Sequence, residues 1–298
     1  DAAGRPVRIP RDEYVAKVLP SLVQQHGSNP DQLAAVVLQA LRDGLASAVL
    51  PAANRLTVID KNVERALSVL AVVQRDAGEL DSAEATLREL QQKRPNSPAA
   101  RVGLGMLAVT RGDAGKGEAL LWEALQMDCN HADAVHGWLQ LRHRAVGDAG
   151  YRAEVEKLTA LPGSWRPQLW LARHLVQHAQ GEGVEAIYRD VLSRAAGEHD
   201  ALVMASADLV QQQRHALVRE LVLPAFVPGR HHPHVGIALL HHHLQNQEHE
   251  AGSQLLHQMY VHYGHLVGNE LQPFTGAFDQ LRLSKLPPPP APSATPRL

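Results

Sequence analysis

The 298-residue chain carries 29 Lys and Arg against 31 Asp and Glu, so no global field attracts nucleic acid or an anionic membrane. Apolar residues make up 45% of the chain and aromatic residues only 4%, which favours closely packed helices over an aromatic ligand pocket. Cys129 is the only cysteine, which excludes an intrachain disulfide and a cysteine-based metal site. No apolar run reaches about 18 residues, so we predict no membrane span.

Residues 1–60 are predicted to form an N-terminal arm and capping helices. After the arm, a first helix is expected to break or kink at Pro20, because proline has no N–H for the helix ladder. Asn29, followed by a proline and an aspartate, is a strong start for the next helix, which Gly44 ends. A further short helix is predicted over residues 51–59.

A repeat of 34 residues follows, and it is clearest in residues 64–97 and 98–131. Gly78 and its acidic neighbour recur one period later as Gly112 and a second acidic residue. Small and large apolar residues also recur at matching positions. A fixed period of this length is typical of a solenoid, in which each helix pair buries its apolar face only by stacking on its neighbours. Each repeat is therefore predicted to be a helix–turn–helix unit with glycine in its turn.

Later units keep the helical period while the repeat degenerates. One unit is predicted over residues 132–161 with its turn at Gly147, and another over 165–194. A fifth, over 200–222, lacks the turn glycine, and a sixth begins near Pro233. No segment shows sustained period-two alternation, so we predict no sheet.

Four parts follow from these features. Residues 1–60 are the N-terminal arm and capping helices, 61–267 the solenoid, 268–286 a C-terminal cap, and 287–298 a proline-rich flexible tail. The tail begins with four consecutive prolines, which favour an extended chain, and it has too little apolar content to fold.

The repeat at residues 64–131 resembles the tetratricopeptide repeat of bacterial-type proteins. Its signature large, small and turn positions are matched by Leu67, Leu70, Ala71, Gly78, Ala83, Leu87, Leu90 and Pro95, and then by Leu104, Gly105, Gly112, Leu121 and Ala124. The resemblance implies an all-α fold, a right-handed α-solenoid of stacked helix–turn–helix repeats.

The same resemblance implies a concave groove, lined by the first helix of each unit, that holds a peptide or a partner protein. Family members that clamp a terminal carboxylate use Lys, Asn and Arg, whereas Ser68, Val72, Val102 and Gly103 occupy that region here, so the clamp is not expected. The groove residues implied by register are Arg65, Val72, Arg75, Val102, Met106, Val109, His136, Gln140, His143, Arg144 and Arg173.

Histidines are concentrated towards the C-terminus of the chain, which has 18 of them. Metal ligands on a helix share a face at spacings of three or four. His262 and His265 meet this condition, and His231 and His234 do so at a loop–helix junction. These four are the candidate metal ligands, although surface and packing roles are the favoured interpretation of the histidines.

These features favour a non-catalytic scaffold or adaptor without a cofactor. Its partner is a protein or peptide, which the basic groove residues bias towards acidic character, and no nucleic-acid partner is expected. The alternatives are an interaction module of a larger enzyme or of a secretion or assembly machine, and a histidine-rich metal-responsive protein. Because the chain starts at Asp1 rather than Met, we expect an upstream segment to have been removed. We expect a cytoplasmic protein, or a periplasmic one if a signal peptide preceded Asp1.

Overall fold

The structure, a computed structural model, describes residues 10–179, 181–195 and 197–284. All regular elements within these ranges are helical, and none of the described residues lies in a strand, which confirms the predicted all-α fold. The chain forms two compact units that divide after Pro167, a division that the repeat pattern does not predict. The predicted tail at 287–298 lies outside the described residues, as does most of the N-terminal arm.

The first unit is a succession of helices joined by short turns. A π-helical turn at Tyr14–Val18 ends two residues before Pro20, with the Leu19 N–H bonded to the Tyr14 carbonyl. This is the irregularity expected there, because Pro20 cannot donate to the helix ladder. The helices are α1 (Arg11–Glu13), α2 (Leu19–His26), α3 (Pro30–Arg42), α4 (Ala46–Ile59), α5 (Val63–Asp76), α6 (Leu80–Lys93), α7 (Pro98–Thr110), α8 (Ala114–Met127) and α9 (Ala132–Thr159).

Helix α4 begins earlier than predicted. The short helix expected at 51–59 starts at Ala46 instead, so Pro51 lies inside it rather than at its first position. The five residues of its buried face are Ala46, Val49, Ala52, Ala53 and Leu56. Burial of this continuous face outweighs the one ladder hydrogen bond that Pro51 cannot make.

Three hairpins of the first unit share one turn. Gly44, Gly78 and Gly112 are spaced 34 residues apart and have φ values of 70°, 86° and 87°. After each glycine the next N–H reaches back to a helix carbonyl, as from Glu79 to Gln74 at 2.8 Å, which is the Schellman arrangement. The predicted repeats are therefore the hairpins α5–α6 and α7–α8, and the same hairpin register already begins with α3–α4.

Small residues let neighbouring helices approach closely. Ala71, Ala83, Leu87 and Leu107 form one buried cluster. A Cβ atom added to Gly105 would lie 3.1 Å from the Gly117 carbonyl oxygen, so α7 and α8 pack almost backbone to backbone. Packing of this kind is the role that the repeated small residues predict.

Helix α9 contains the third predicted repeat. Gly147 interrupts it with φ 65° and ψ −174°, at the predicted turn. Across this kink Arg142 pairs with Glu154, with Nε 3.2 Å from Oε2. The two halves of α9 therefore fold back on each other as a hairpin.

The second unit consists of helical pairs whose first helices are followed by a non-glycine residue with positive φ, including Ala179 at 56°; one turn also contains Gly183 with φ 77°. Gln213 and Gln247, 34 residues apart, have φ values of 56° and 57°. The last helix bends at Val267, which has φ −126°, next to the predicted start of the C-terminal cap. The helices are α10 (Arg166–Gln177, which begins just before the division), α11 (Val184–Ala195), α12 (His199–Gln211), α13 (His215–Leu217, followed by a π-helical turn at Val218–Val222), α14 (Pro233–Gln245) and α15 (His249–Ser284).

Among the described residues, no helix is both long enough and apolar enough to cross a bilayer.

Candidate functional site

A groove in the first unit is lined by the first helices of successive hairpins. It encloses a pocket of about 450 Å³, within the roughly 300–1,000 Å³ typical of ligand sites. Helices α5, α7 and α9 supply most of the lining, because they occupy equivalent places in adjacent repeats. The lining comprises Leu38, Ser68, Ala71, Val72, Arg75, Leu87, Ala99, Val102, Gly103, Met106, Leu107, His131, Asp133, His136 and Gly137.

The floor of the groove is apolar. Val72, Val102 and Met106 come from two adjacent helices, and Val102 is buried. Two glycines give these helices room: a Cβ atom on Gly103 would lie 2.2 Å from Leu87 Cδ2, and one on Gly137 would lie 3.1 Å from Met106 Sδ. The flexible thioether of Met106 can adapt to the shape of an apolar side chain.

The walls of the groove are polar and carry both signs of charge. Arg75 Nη2 lies 2.8 Å from Asp76 Oδ1, so its charge is partly neutralised by its neighbour. His131 caps α9 by accepting the Ala134 N–H at Nδ1, 3.4 Å away. Asp133 adds a carboxylate to the lining. The groove is therefore less basic than the register alone suggests.

One polar atom of the lining has no partner. The hydroxyl of Ser68 is buried and makes no hydrogen bond with any of the described residues. A buried hydroxyl without a partner costs free energy. A bound group that donates or accepts at this position would remove that cost.

The structure brings five of the eleven predicted groove residues to this pocket: Val72, Arg75, Val102, Met106 and His136. Val109 lies instead against α8, since a Cβ atom on Gly117 would meet its Cγ2 at 2.4 Å. Gln140 and Arg144 are exposed on α9. His143 is also exposed, and its Nε2 lies 2.6 Å from Asp148 Oδ1. These four residues do not line the pocket.

The two remaining predicted groove residues are arginines engaged in ion pairs. Arg65 joins Asp60 Oδ2 at 2.6 Å and Asp31 Oδ1 at 2.5 Å, and this guanidinium holds the pKa of Asp60 below its usual value. Arg173 lies in the second unit, where its Nε donates to both oxygens of Asp208 at 2.9 and 2.8 Å. Both arginines stabilise the scaffold rather than face the groove pocket.

Leu38 is a lining residue that the sequence pattern does not predict. It comes from α3, a helix that the pattern places among the capping helices and not in a repeat. The signal that could have identified it is the position of Gly44, one full period before Gly78.

The four histidines predicted as metal ligands do not form one site. His231 Nδ1 accepts the Val227 N–H at 2.9 Å, and His234 Nδ1 lies 3.0 Å from His232 Nδ1. His262 lies beside Gly229, and His265 is exposed. Within the ranges that the structure describes, a different set converges: His242, His243 and Glu248 have ligand atoms within 4.8 Å of one another.

His242 is fully buried and His243 nearly so, whereas Glu248 is partly exposed. The desolvation of the His242 ring, together with the neighbouring His243, lowers its pKa to about 4. Glu248 is instead charged more readily, because Arg219 and His243 bond to its carboxylate and lower its pKa despite burial.

Comparison with known proteins yields likenesses among solved structures only. No protein-family model matches the chain, and no curated protein matches it. A thermophilic tetratricopeptide repeat protein of Thermus thermophilus shares 17% identity with a TM-score of 0.37, covering 61% of this chain and 99% of that chain. The TPR2AB domain of yeast Sti1, in complex with pHSP90, shares 13% identity with a TM-score of 0.34, covering 85% of this chain and 100% of that chain.

A tetratricopeptide repeat protein from Parabacteroides merdae shares 12% identity with a TM-score of 0.39, covering 84% of this chain and 98% of that chain. The chain is similar to these three tetratricopeptide repeat structures at 12–17% identity.

Proposed function

We propose that the first unit is a non-catalytic protein-interaction module that binds a peptide segment of a partner protein in the groove. The observation that carries this proposal is the apolar floor of Val72, Val102 and Met106, contributed by equivalent helices of adjacent repeats. An accessible apolar floor with polar walls suits an extended or helical peptide that inserts apolar side chains and keeps polar groups at the rim.

The walls define the chemistry of the peptide. Arg75 and His136 favour a carboxylate next to the inserted side chain, whereas Asp133 opposes a run of acidic residues. We therefore propose a ligand with one or two apolar anchors and a nearby carboxylate. Because the wall charges are partly paired and solvated, they contribute more to selectivity than to affinity.

A peptide library displayed on phage and selected on the intact chain tests this proposal. Met106→Glu introduces a charge into the floor, and Val58→Glu introduces the same charge at a residue that is 83% exposed on α4 and outside the lining. Selected peptides should lose affinity for the Met106 variant by at least about tenfold, or about 1.4 kcal/mol. They should bind the Val58 variant as they bind the parent.

A second floor variant, Val72→Glu, separates lost binding from lost folding, provided that circular dichroism shows parental helicity. Peptides that bind both folded floor variants as tightly as the parent would place the binding surface elsewhere. A library that yields no peptide dependent on these positions would also contradict the proposal.

A further inference from the structure

The turn between α14 and α15 brings two histidines and a glutamate together in the second unit. His242 and His243 lie near the end of α14, and Glu248 comes directly before α15. Gln247 takes a left-handed φ of 57°, and the Glu248 N–H then bonds to the His243 carbonyl at 2.9 Å. This tight turn folds the carboxylate back over the imidazoles.

The three ligand atoms converge on one point. Glu248 Oε2 lies 2.8 Å from His243 Nδ1 and 4.0 Å from His242 Nε2. Bonds of about 2.0–2.2 Å from zinc to histidine nitrogen or carboxylate oxygen place neighbouring ligand atoms roughly 3–3.5 Å apart, as tetrahedral geometry requires. The two measured separations bracket that range, so small side-chain rotations suffice.

The surrounding hydrogen bonds favour one tautomer of His242. Asn246 Oδ1 accepts from Arg219 at 3.2 Å, which directs its amide nitrogen to His215 Nδ1 at 2.9 Å. His215 Nδ1 thereby accepts from Asn246, and the contact of 3.2 Å between the two Nδ1 atoms is a hydrogen bond when His242 carries its proton there. His242 Nε2 then carries a free lone pair. An outer partner that favours one tautomer in this way is typical of metal-bound histidine.

That lone pair is the unsatisfied group of the cluster. His242 is fully buried, and its Nε2 has no hydrogen-bond partner in the part of the chain that the structure describes. Glu248, by contrast, is about one-third exposed, and Arg219 anchors its second oxygen at 2.6 Å. The buried nitrogen lies 4.0 Å from the partly exposed carboxylate, which gives an ion a path from solvent.

We propose that His242 Nε2, His243 Nδ1 and the Glu248 carboxylate bind a divalent transition-metal ion, with Zn²⁺ as the best match. Two imidazoles and one carboxylate are a zinc donor set that leaves a fourth position for water. At His243 the ion takes the place of the Nδ1 proton that now bonds to Glu248, and the neutral ring then carries its proton on Nε2. The ion also satisfies the orphaned nitrogen of His242.

Zinc titration of the intact chain, followed by calorimetry and by competition with a chromophoric chelator, tests the proposal. We expect one tight Zn²⁺ per chain, together with the weaker binding that exposed histidines contribute. Glu248→Gln and His243→Gln should each weaken the tight site by about tenfold or more. Cobalt substitution should give a visible ligand-field spectrum in the parent that both variants lose.

Two control variants isolate the metal role from a structural one. Glu250→Gln removes an exposed carboxylate two residues from Glu248 but no ligand, so it should retain the tight site. A double variant, His262→Gln with His265→Gln, removes exposed imidazoles and should also retain it. Absence of a tight site, its retention in folded Glu248→Gln, or an equal loss in either control would overturn the proposal.

Discussion

The two units end the first helices of their hairpins with the same backbone turn but with different residues. In the first unit Gly44, Gly78 and Gly112 take the left-handed conformation, and in the second unit Ala179, Gln213 and Gln247 take it with φ values of 56°, 56° and 57°. The hydrogen bond that closes the turn is also the same, from Arg214 N–H to the Leu209 carbonyl at 2.9 Å in the second unit. The helical pairs therefore keep their period where the glycine is lost.

This difference shows that the turn geometry does not depend on glycine alone. A residue with a side chain in the left-handed region costs about 1–2 kcal/mol, which the described part of the second unit tolerates at three positions, Ala179 included. The closing hydrogen bonds and the packing of the flanking helices determine the conformation. Glycine lowers the conformational free-energy cost of the left-handed φ in the first-unit turns. It also makes these turns easier to detect in the sequence.

The largest effect is expected where the first unit depends on a small residue. Ala83 follows the Gly78 turn by five residues. The equivalent position in the second unit, five residues after Gln213, is the larger Val218, and both residues are fully buried. Ala83→Phe should lower the free energy of unfolding by about 1–3 kcal/mol, because the helices cannot separate to admit a ring. Urea denaturation followed by circular dichroism measures this change.

Ala85→Phe is the matched control, since Ala85 is exposed on the same helix. It should change the free energy by no more than about 0.5 kcal/mol. Equal stability of the Ala83 variant and the parent would show that the hairpins of the first unit do not stack through this position.

Much of the first unit is predictable because its turn glycines and small residues repeat at fixed intervals. Those signals locate α5 to α8 and three apolar floor residues of the groove. They do not reveal that Arg65 forms an ion pair, because its partner Asp31 comes from the previous repeat. A groove-facing register cannot show whether a guanidinium turns towards a ligand or towards a neighbouring carboxylate.

The histidine cluster shows a different limit. Adjacent residues on a helix point about 100° apart, so His242 and His243 do not suggest a shared site. They converge because one ring uses Nε2 and the other Nδ1, and because the Gln247 turn places Glu248 between them. The sequence pattern contains neither the choice of ring nitrogen nor the left-handed φ of a glutamine.

The buried carboxylates of the two units should respond differently to acid. In the first unit Arg65 lowers the pKa of Asp60, whereas in the second unit burial raises the pKa of Asp208 despite the bond from Arg173. Asp60→Asn should therefore cost about 1–3 kcal/mol at pH 7, and Asp208→Asn should cost less. Urea denaturation at a series of pH values measures both.

The sign of the Asp60 effect follows from its lowered pKa. A carboxyl that ionises more readily when folded contributes stability above its unfolded pKa of about 3.9 and loses it as the pH falls through the folded pKa. The difference between the parent and Asp60→Asn should therefore shrink below about pH 4. Asp133→Asn, which removes an exposed carboxylate from the groove lining, serves as the control. A difference that stays constant from pH 7 to pH 3 would exclude the ion pair as its cause.

The smallest effect is expected from exchanging the turn residues, which tests the comparison most directly. A Cβ atom on Gly78 would meet nothing within 4 Å, so only backbone strain opposes a side chain there. Gly78→Gln should destabilise the chain by about 1 kcal/mol, because the strain exceeds the entropy that glycine adds to the unfolded state. Gln213→Gly should stabilise it by a similar amount, since Gln213 is exposed.

Gln211→Gly provides the control for that gain, because Gln211 is an exposed helical residue two positions earlier. Glycine inside a helix costs about 1 kcal/mol, so the same substitution should have the opposite sign at the two positions. Thermal and urea denaturation of the three variants and the parent decide the matter. If Gln213→Gly destabilises the chain as Gln211→Gly does, the side chain of Gln213 must itself support the turn. The second unit would then have replaced glycine with a specific contact rather than tolerated strain.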